Sequence, residues 1–198
     1  MGKQDNIFLV GLMGSGKTTV GRILARNYDK TFYDSDHEIE VSTGVKIPVI
    51  FEIEGEAGFR KREETAIAGL AALSNIVLAT GGGAVLSAVN REMLKQHGTV
   101  IYLRGTPECL FQRTRHDRNR PLLQTADPLT RLRELFGQRD PLYREVADIV
   151  ADTGRQSVSH MPRILRDKLD LLLTPLAEDN VLKSRPLDTP DPCDPSPA

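Results

Sequence analysis

Eight residues near the start of the chain, Gly11-Leu12-Met13-Gly14-Ser15-Gly16-Lys17-Thr18, fit the pattern G-x-x-x-x-G-K-[ST]. Glycines at these spacings let the backbone wrap a phosphate with its N–H groups turned inward. The helix that follows adds partial positive charge at its N-terminus, and Lys17 adds a full one. The Thr18 hydroxyl is placed to ligate Mg2+. An apolar run, Ile7 to Val10, precedes the loop, and Val20, Ile23 and Leu24 follow at helical spacing, so the strand and helix that this motif requires are both present. The expectation is a site for nucleotide phosphates.

Two carboxylates stand one residue apart in Tyr33-Asp34-Ser35-Asp36, at the end of a second strand-like run. In an open parallel sheet the carboxyl ends of the strands line the ligand crevice. One acid there would face the water shell of a metal and the other an acceptor hydroxyl. Ser35 or Asp36 followed by His37-Glu38-Ile39-Glu40 is also good helix-capping chemistry; beside a phosphate loop the functional use is favoured. A third run ends at Thr80-Gly81-Gly82-Gly83. Three glycines cost backbone entropy where a flexible turn needs only one, and a ligand that must approach the backbone and take its N–H groups explains them.

Arginine is dense further on, with Arg113, Arg115, Arg118 and Arg120 ahead of Pro121, and Arg139 ahead of Asp140-Pro141-Leu142-Tyr143. A stretch so basic and so poor in apolar residues is either solvated surface or a mobile lid that closes on phosphates. Arg60, in Gly58-Phe59-Arg60-Lys61-Arg62-Glu63-Glu64, is either a helix-face charge or a carboxylate clamp.

The elements that must carry these groups alternate along the chain. Ile7–Val10, Thr31–Tyr33, Ile76–Ala79, Val100–Leu103 and Ile149–Ala151 have the composition of buried strands. Helical spacing recurs between them at Ile67/Leu70/Ala71 and Leu129/Leu132/Leu135/Phe136, in a helix-like stretch with Val85, Val89 and Met93, and in a closing segment from Ile164 to Leu173. Strand and helix in alternation predict an α/β fold, a parallel sheet with helices on both faces.

Composition agrees with one globular domain of ordinary type, 198 residues with 39% apolar content and a net charge of −1. The near-neutral balance gives no basic footprint for nucleic acid. The run Ile7 to Met13 is too short to span a membrane. Cys109 and Cys193 are too far apart and too few for a disulfide framework or zinc site, and a reducing, cytoplasmic setting is expected. From Pro186 the chain has five prolines and three aspartates in thirteen residues, so residues 176–198 are expected to form a disordered tail. That tail carries a net −3, which leaves residues 1–175 at +2. With no strongly apolar surface evident, a monomer is expected.

A phosphate loop alone does not choose among kinases, GTPases, motors and switches. The guanine-reading N-K-x-D is absent, and the chain is too short for the further elements of a motor, so a small-molecule kinase leads. Together, GLMGSGKTT, YDSD, IFEIEGEAGFRKREE, VLATGGGAV, RPLL and RDPLYREVAD resemble the shikimate kinase family of the bacterial type, in that family's order and over most of residues 7 to 153. The resemblance implies a three-layer P-loop kinase fold with a five-stranded parallel sheet, a substrate-binding segment at about residues 35–63 and a lid at about 114–127. It also implies transfer of the γ-phosphoryl group of ATP to the 3-hydroxyl of shikimate, with Mg2+ as cofactor.

Residue by residue, the family's pattern implies that Gly14, Ser15, Gly16, Lys17, Thr18 and Thr19 bind ATP and that Thr18 and Asp34 serve the metal. Asp36 would bind the substrate hydroxyls and orient or deprotonate the attacking one. Arg60 and Arg139 would grip the carboxylate with Gly81, Gly82 and Gly83, while Phe51, Phe59 and Glu63 would shape that pocket. Arg120 would swing in on the lid, Arg113 would stack on adenine, and Arg155 or Gln156 would close the adenine pocket. Lys46 and Pro48 depart from the family, which shows Ser and then an acidic residue before the Ile-Phe pair, and Pro48 is expected to shorten that helix. Competing expectations are a gluconate-like kinase, a nucleoside monophosphate kinase, and an ATP-binding switch without turnover.

Overall fold

A computed structural model describes residues 5–115, 125–154 and 160–173. Five strands, β1 (Asn6–Val10), β2 (Thr31–Asp34), β3 (Ile76–Ala79), β4 (Gly98–Arg104) and β5 (Ile149–Asp152), form one sheet in the order β2-β3-β1-β4-β5. Every pairing is parallel. The helices are α1 (Lys17–Asn27), α2 (Ser35–Thr43), α3 (Ile47–Ala71), α4 (Ala88–His97), α5 (Pro107–Thr114), α6 (Pro128–Val146) and α7 (Met161–Leu173), with a 3-10 turn at Ala84–Leu86.

The three layers follow from alternation along the central strands. In β1, Phe8 and Val10 point to one face, where they meet Ile67 and Leu70 of α3, Leu94 of α4 and Leu132, Leu135 and Tyr143 of α6. Ile7 and Leu9 point to the other, onto Val20 and Leu24 of α1 and Leu165 and Leu169 of α7. Because both faces are covered, β1 has no exposed residue, and after Asn6 it reads as an unbroken apolar run. A smaller cluster of Ile39, Ile50 and Phe59 joins α2 to α3 beside the sheet.

Three sequence expectations are corrected. Thr31–Tyr33 is not a buried strand: β2 lies at the sheet edge, with Thr31 exposed and Phe32 and Tyr33 half-buried. The opposite edge, β5, likewise leaves Val150 38% exposed. The stretch around Val85 and Val89 is divided between the 3-10 turn and α4, and Val89 faces solvent while Asn90 is buried with its amide donating to the Ala84 carbonyl. Pro48 does not truncate α3. It occupies the helix's first turn, where a missing N–H leaves no hydrogen bond unmade. The break comes later, at Gly55, whose φ of 69° and ψ of −176° divide α3 into two legs. Glu54 spans that break to hold Arg62, at 2.6 and 2.9 Å.

Candidate active site

Because β3 and β4 flank β1, the turns after β1 and β3 lie side by side at the carboxyl edge of the sheet. The first is the glycine-rich loop. Gly14 and Gly16 have φ of 77° and 95°, a region that side-chain-bearing residues rarely enter. Gly16 is the N-cap of α1 and provides no side-chain cap, so the first N–H groups of that helix are left to a ligand. Lys17 lies back along the loop, with Nζ donating to the carbonyls of Gly11 at 2.7 Å and Leu12 at 3.0 Å. Thr18 and Thr19 are exposed on the cleft side. Ser15 differs: its side chain is fully buried behind the loop and does not line the cleft.

Asp34 ends β2 and does two things at once. Its Oδ1 accepts the Asp36 N–H at 3.2 Å, capping α2. Its Oδ2 accepts from Thr18 Oγ1 at 2.8 Å. Capping and a place at the phosphate site are therefore compatible. A hydroxyl and a carboxylate side by side form an oxygen-only donor set that fits Mg2+, a hard ion that keeps several waters and takes phosphate oxygens as further ligands. Among the described residues there is no group of three or more His, Cys, Asp or Glu able to hold a metal.

The glycine turn after β3 is packed against acids and arginines from α2, α3 and α6. The buried Ser35 hydroxyl accepts the Gly81 N–H at 2.9 Å. A Cβ at Gly81 would lie 2.6 Å from both Asp36 Oδ1 and Glu63 Oε1, and one at Gly83 would collide with the Arg60 guanidinium. On the second leg of α3, Arg60 Nη1 donates to Glu63 Oε2 at 2.7 Å and Nη2 to Glu56 Oε1 at 3.0 Å. Glu63 is only 1% exposed. Burial pushes its carboxyl above the ordinary glutamate value, against the opposing pull of Arg60. Arg139 on α6 is buried as well, with Nη1 donating to the Gly82 carbonyl at 3.1 Å. Its Nε and Glu63 Oε1 are buried polar atoms with no hydrogen-bond partner among the described residues, a condition that a bound polar ligand relieves. The Phe51 and Phe59 rings pack 4.6 Å apart with a 31° tilt along the wall, and the Arg60 guanidinium lies 5.3 Å from the Phe59 ring centre.

These pieces share one cleft of about 1010 Å³. Of the residues expected from sequence, Gly14, Gly16, Lys17, Thr18, Thr19, Asp34, Asp36, Phe51, Phe59, Arg60, Glu63, Gly81, Gly82, Gly83, Arg113 and Arg139 line it. Arg113, at the end of α5, donates to the Thr153 carbonyl at 2.6 Å and so bridges the segment after β5 to the rim of the phosphate loop. Arg120, Arg155 and Gln156 lie outside the described residues, as do most of the expected lid and the whole of residues 176–198.

Six further lining residues were given no site role from sequence: Met13, Glu40, Lys46, Ile47, Pro48 and Thr80. Lys46 occupies the N-cap of α3 but makes no side-chain cap. Glu40 caps in its place, with Oε1 accepting the Ile47 N–H at 3.1 Å and Oε2 pairing with Lys46 Nζ at 2.7 Å. The hydrogen bond from Lys46 is the main cause that holds the Glu40 carboxyl below its ordinary value. No local spacing rule marks a cap delivered from seven residues upstream.

A phosphate loop opening a helix, paired acids at the next strand end and a cation-lined recess across a glycine turn define a small-molecule kinase of the P-loop class. The shikimate kinase family model matches residues 13–169. Over 172 residues the chain is 72% identical to the shikimate kinase of Thiobacillus denitrificans, covering 87% of this chain and 94% of that protein. It is 63% identical over 166 residues to that of Nitrosospira multiformis, covering 84% and 85%. The structure of Acinetobacter baumannii shikimate kinase in complex with shikimate superposes with a TM-score of 0.80 at 51% identity, covering 86% of this chain and 93% of that one. The chain belongs to the shikimate kinase family.

Proposed function

We propose that the chain transfers the γ-phosphoryl group of ATP to the 3-hydroxyl of shikimate, giving shikimate 3-phosphate and ADP. The observation that carries this is the convergence of Arg60, Arg139 and Asp36 on the Gly81–Gly83 turn, in the cleft that also holds Lys17 and Thr18. A cyclic carboxylic acid with vicinal hydroxyls suits that recess: two guanidiniums for the carboxylate, a carboxylate for the hydroxyls and an aromatic wall for the ring.

Arg60 and Arg139 grip the substrate carboxylate, and Glu63 fixes the Arg60 fork so that little freedom is lost on binding. Lys17 and the first N–H groups of α1 hold the β- and γ-phosphates, with Arg113 and Gln156 on the adenine side. Thr18 and Asp34 would hold Mg2+, and the ion, when bound, would neutralise charge on the nucleotide phosphates. Asp36 orients the attacking hydroxyl and takes its proton. The hydroxyl oxygen forms the new bond to phosphorus as the bond to the β–γ bridging oxygen breaks, and ADP leaves. Arg120 supplies positive charge from the lid as negative charge shifts to that oxygen.

A coupled ADP-release assay with shikimate, then gluconate, then a panel of nucleoside monophosphates tests the assignment. Turnover with shikimate alone is expected, and comparable turnover with either rival acceptor would replace it. In the same assay Asp36→Asn should retain ATP binding and lower kcat by about 10²- to 10⁴-fold.

A further inference from the structure

We propose that Tyr143 is a positioning residue for substrate binding, holding the Gly82 carbonyl and through it the Arg139 guanidinium. Tyr143 and Arg139 stand four residues apart on α6 and so share a helix face. Both donate to the same atom: Tyr143 OH reaches the Gly82 carbonyl at 2.5 Å and Arg139 Nη1 reaches it at 3.1 Å. A carbonyl oxygen has two lone pairs. With both engaged, the peptide after Gly82 cannot rotate, and Arg139 has a fixed anchor.

Gly82 is where the two halves of the cleft meet. A Cβ there would lie 3.5 Å from the Met13 nitrogen, 3.6 Å from the Gly11 carbonyl oxygen and 3.8 Å from Arg139 Nη1. A shift of this peptide therefore moves the arginine relative to the phosphate loop. The tyrosine is itself well fixed. It is fully buried, and its ring stacks on Tyr102 at 4.8 Å and 28°. Tyr102 in turn donates to Asp140 at 2.8 Å, and Asp140 also takes Arg104 and Arg144. Burial pushes the Tyr143 phenol well above its ordinary value, so it remains a donor at any working pH.

This inference rests on the assignment of Arg139 to the shikimate carboxylate, and calorimetry on the full chain separates the two. Titrations with shikimate and with ATP are run on the wild type, on Tyr143→Phe and on Tyr102→Phe, together with thermal melts and steady-state kinetics. Tyr143→Phe keeps the ring and loses only the hydroxyl. It should weaken shikimate binding and raise its KM roughly tenfold, with ATP affinity within about twofold. Tyr102→Phe removes the other hydroxyl of the same stack without touching Gly82, and should leave shikimate affinity near that of the wild type. Equal loss in the two variants, a parallel fall in both affinities, or a Tyr143→Phe protein that fails to fold would overturn the proposal in favour of core packing. Wild-type affinity in Tyr143→Phe would overturn it alone, whereas a wild type that does not bind shikimate would overturn the assignment of Arg139 as well.

Discussion

Thr18 Oγ1 donates a 2.8 Å hydrogen bond to Asp34 Oδ2, joining the first turn of α1 to the end of β2 across the intervening strand β3. The other Asp34 oxygen is engaged by the Asp36 N–H, so the carboxylate is held from both sides. A threonine hydroxyl has one proton and two lone pairs. Spending the proton on Asp34 leaves the oxygen's lone pairs for a cation, and the same bond aligns the pair before any ligand arrives.

Asp34→Asn should raise the Mg2+ concentration needed for half-maximal activity by about 10- to 100-fold, since the amide keeps a similar shape and loses the charge. A Mg2+ titration at saturating ATP and shikimate measures it. An unchanged midpoint would reduce Asp34 to a helix cap.

Arg60→Lys and Arg139→Lys should each raise the KM for shikimate by about tenfold or more and leave that for ATP nearly unchanged, because an ammonium cannot reproduce planar two-point pairing. Steady-state kinetics with each substrate varied in turn gives the comparison. Equal effects on both substrates would point to a role in the fold.

Gly81→Ala should lower kcat/KM by about 100-fold with only a small change in melting temperature. The new methyl would meet Asp36 Oδ1 and Glu63 Oε1 at 2.6 Å, so the two carboxylates must move while the apolar layers do not. Kinetics and a thermal melt on one preparation decide it, and a large loss of stability with normal specific activity would contradict it.

Glu40→Gln should destabilise the protein in a pH-dependent way. Lys46, with help from the Ile47 N–H, holds the folded-state carboxyl below its ordinary value. Its stabilising contribution is therefore present above the unfolded-state value of about 4.3 and is lost as pH falls through the lower folded value. The pair is partly exposed, so the effect at pH 7 should be only about 1–3 °C in melting temperature. Melts of both proteins across pH should show the gap closing in acid; a constant gap would mean that the ion pair contributes nothing.

Much of the site was legible because its signals are local. The spacing of Gly11, Gly16 and Lys17, the Asp34–Asp36 pair and the glycine triplet each lie within a few residues, where backbone conformation is decided. Short apolar runs between helical patterns likewise marked all five strands, because strands covered on both faces are apolar throughout. Edge strands were misjudged for the same reason: Thr31–Tyr33 has strand composition, but only its place outside β3 leaves it half open.

The order β2-β3-β1-β4-β5 is set by long-range packing that no fixed spacing encodes. That order places Gly82 against Met13, and it gathers Arg60, Glu63 and Arg139 from helices far apart in the chain around one turn. Glu40 capping α3 and Tyr143 bonding Gly82 are pairings across distance as well. Residue type alone makes each of these an ordinary surface acid or core aromatic. Burial and the need to satisfy every enclosed polar group assign them their partners, and those constraints exist only once the layers have closed.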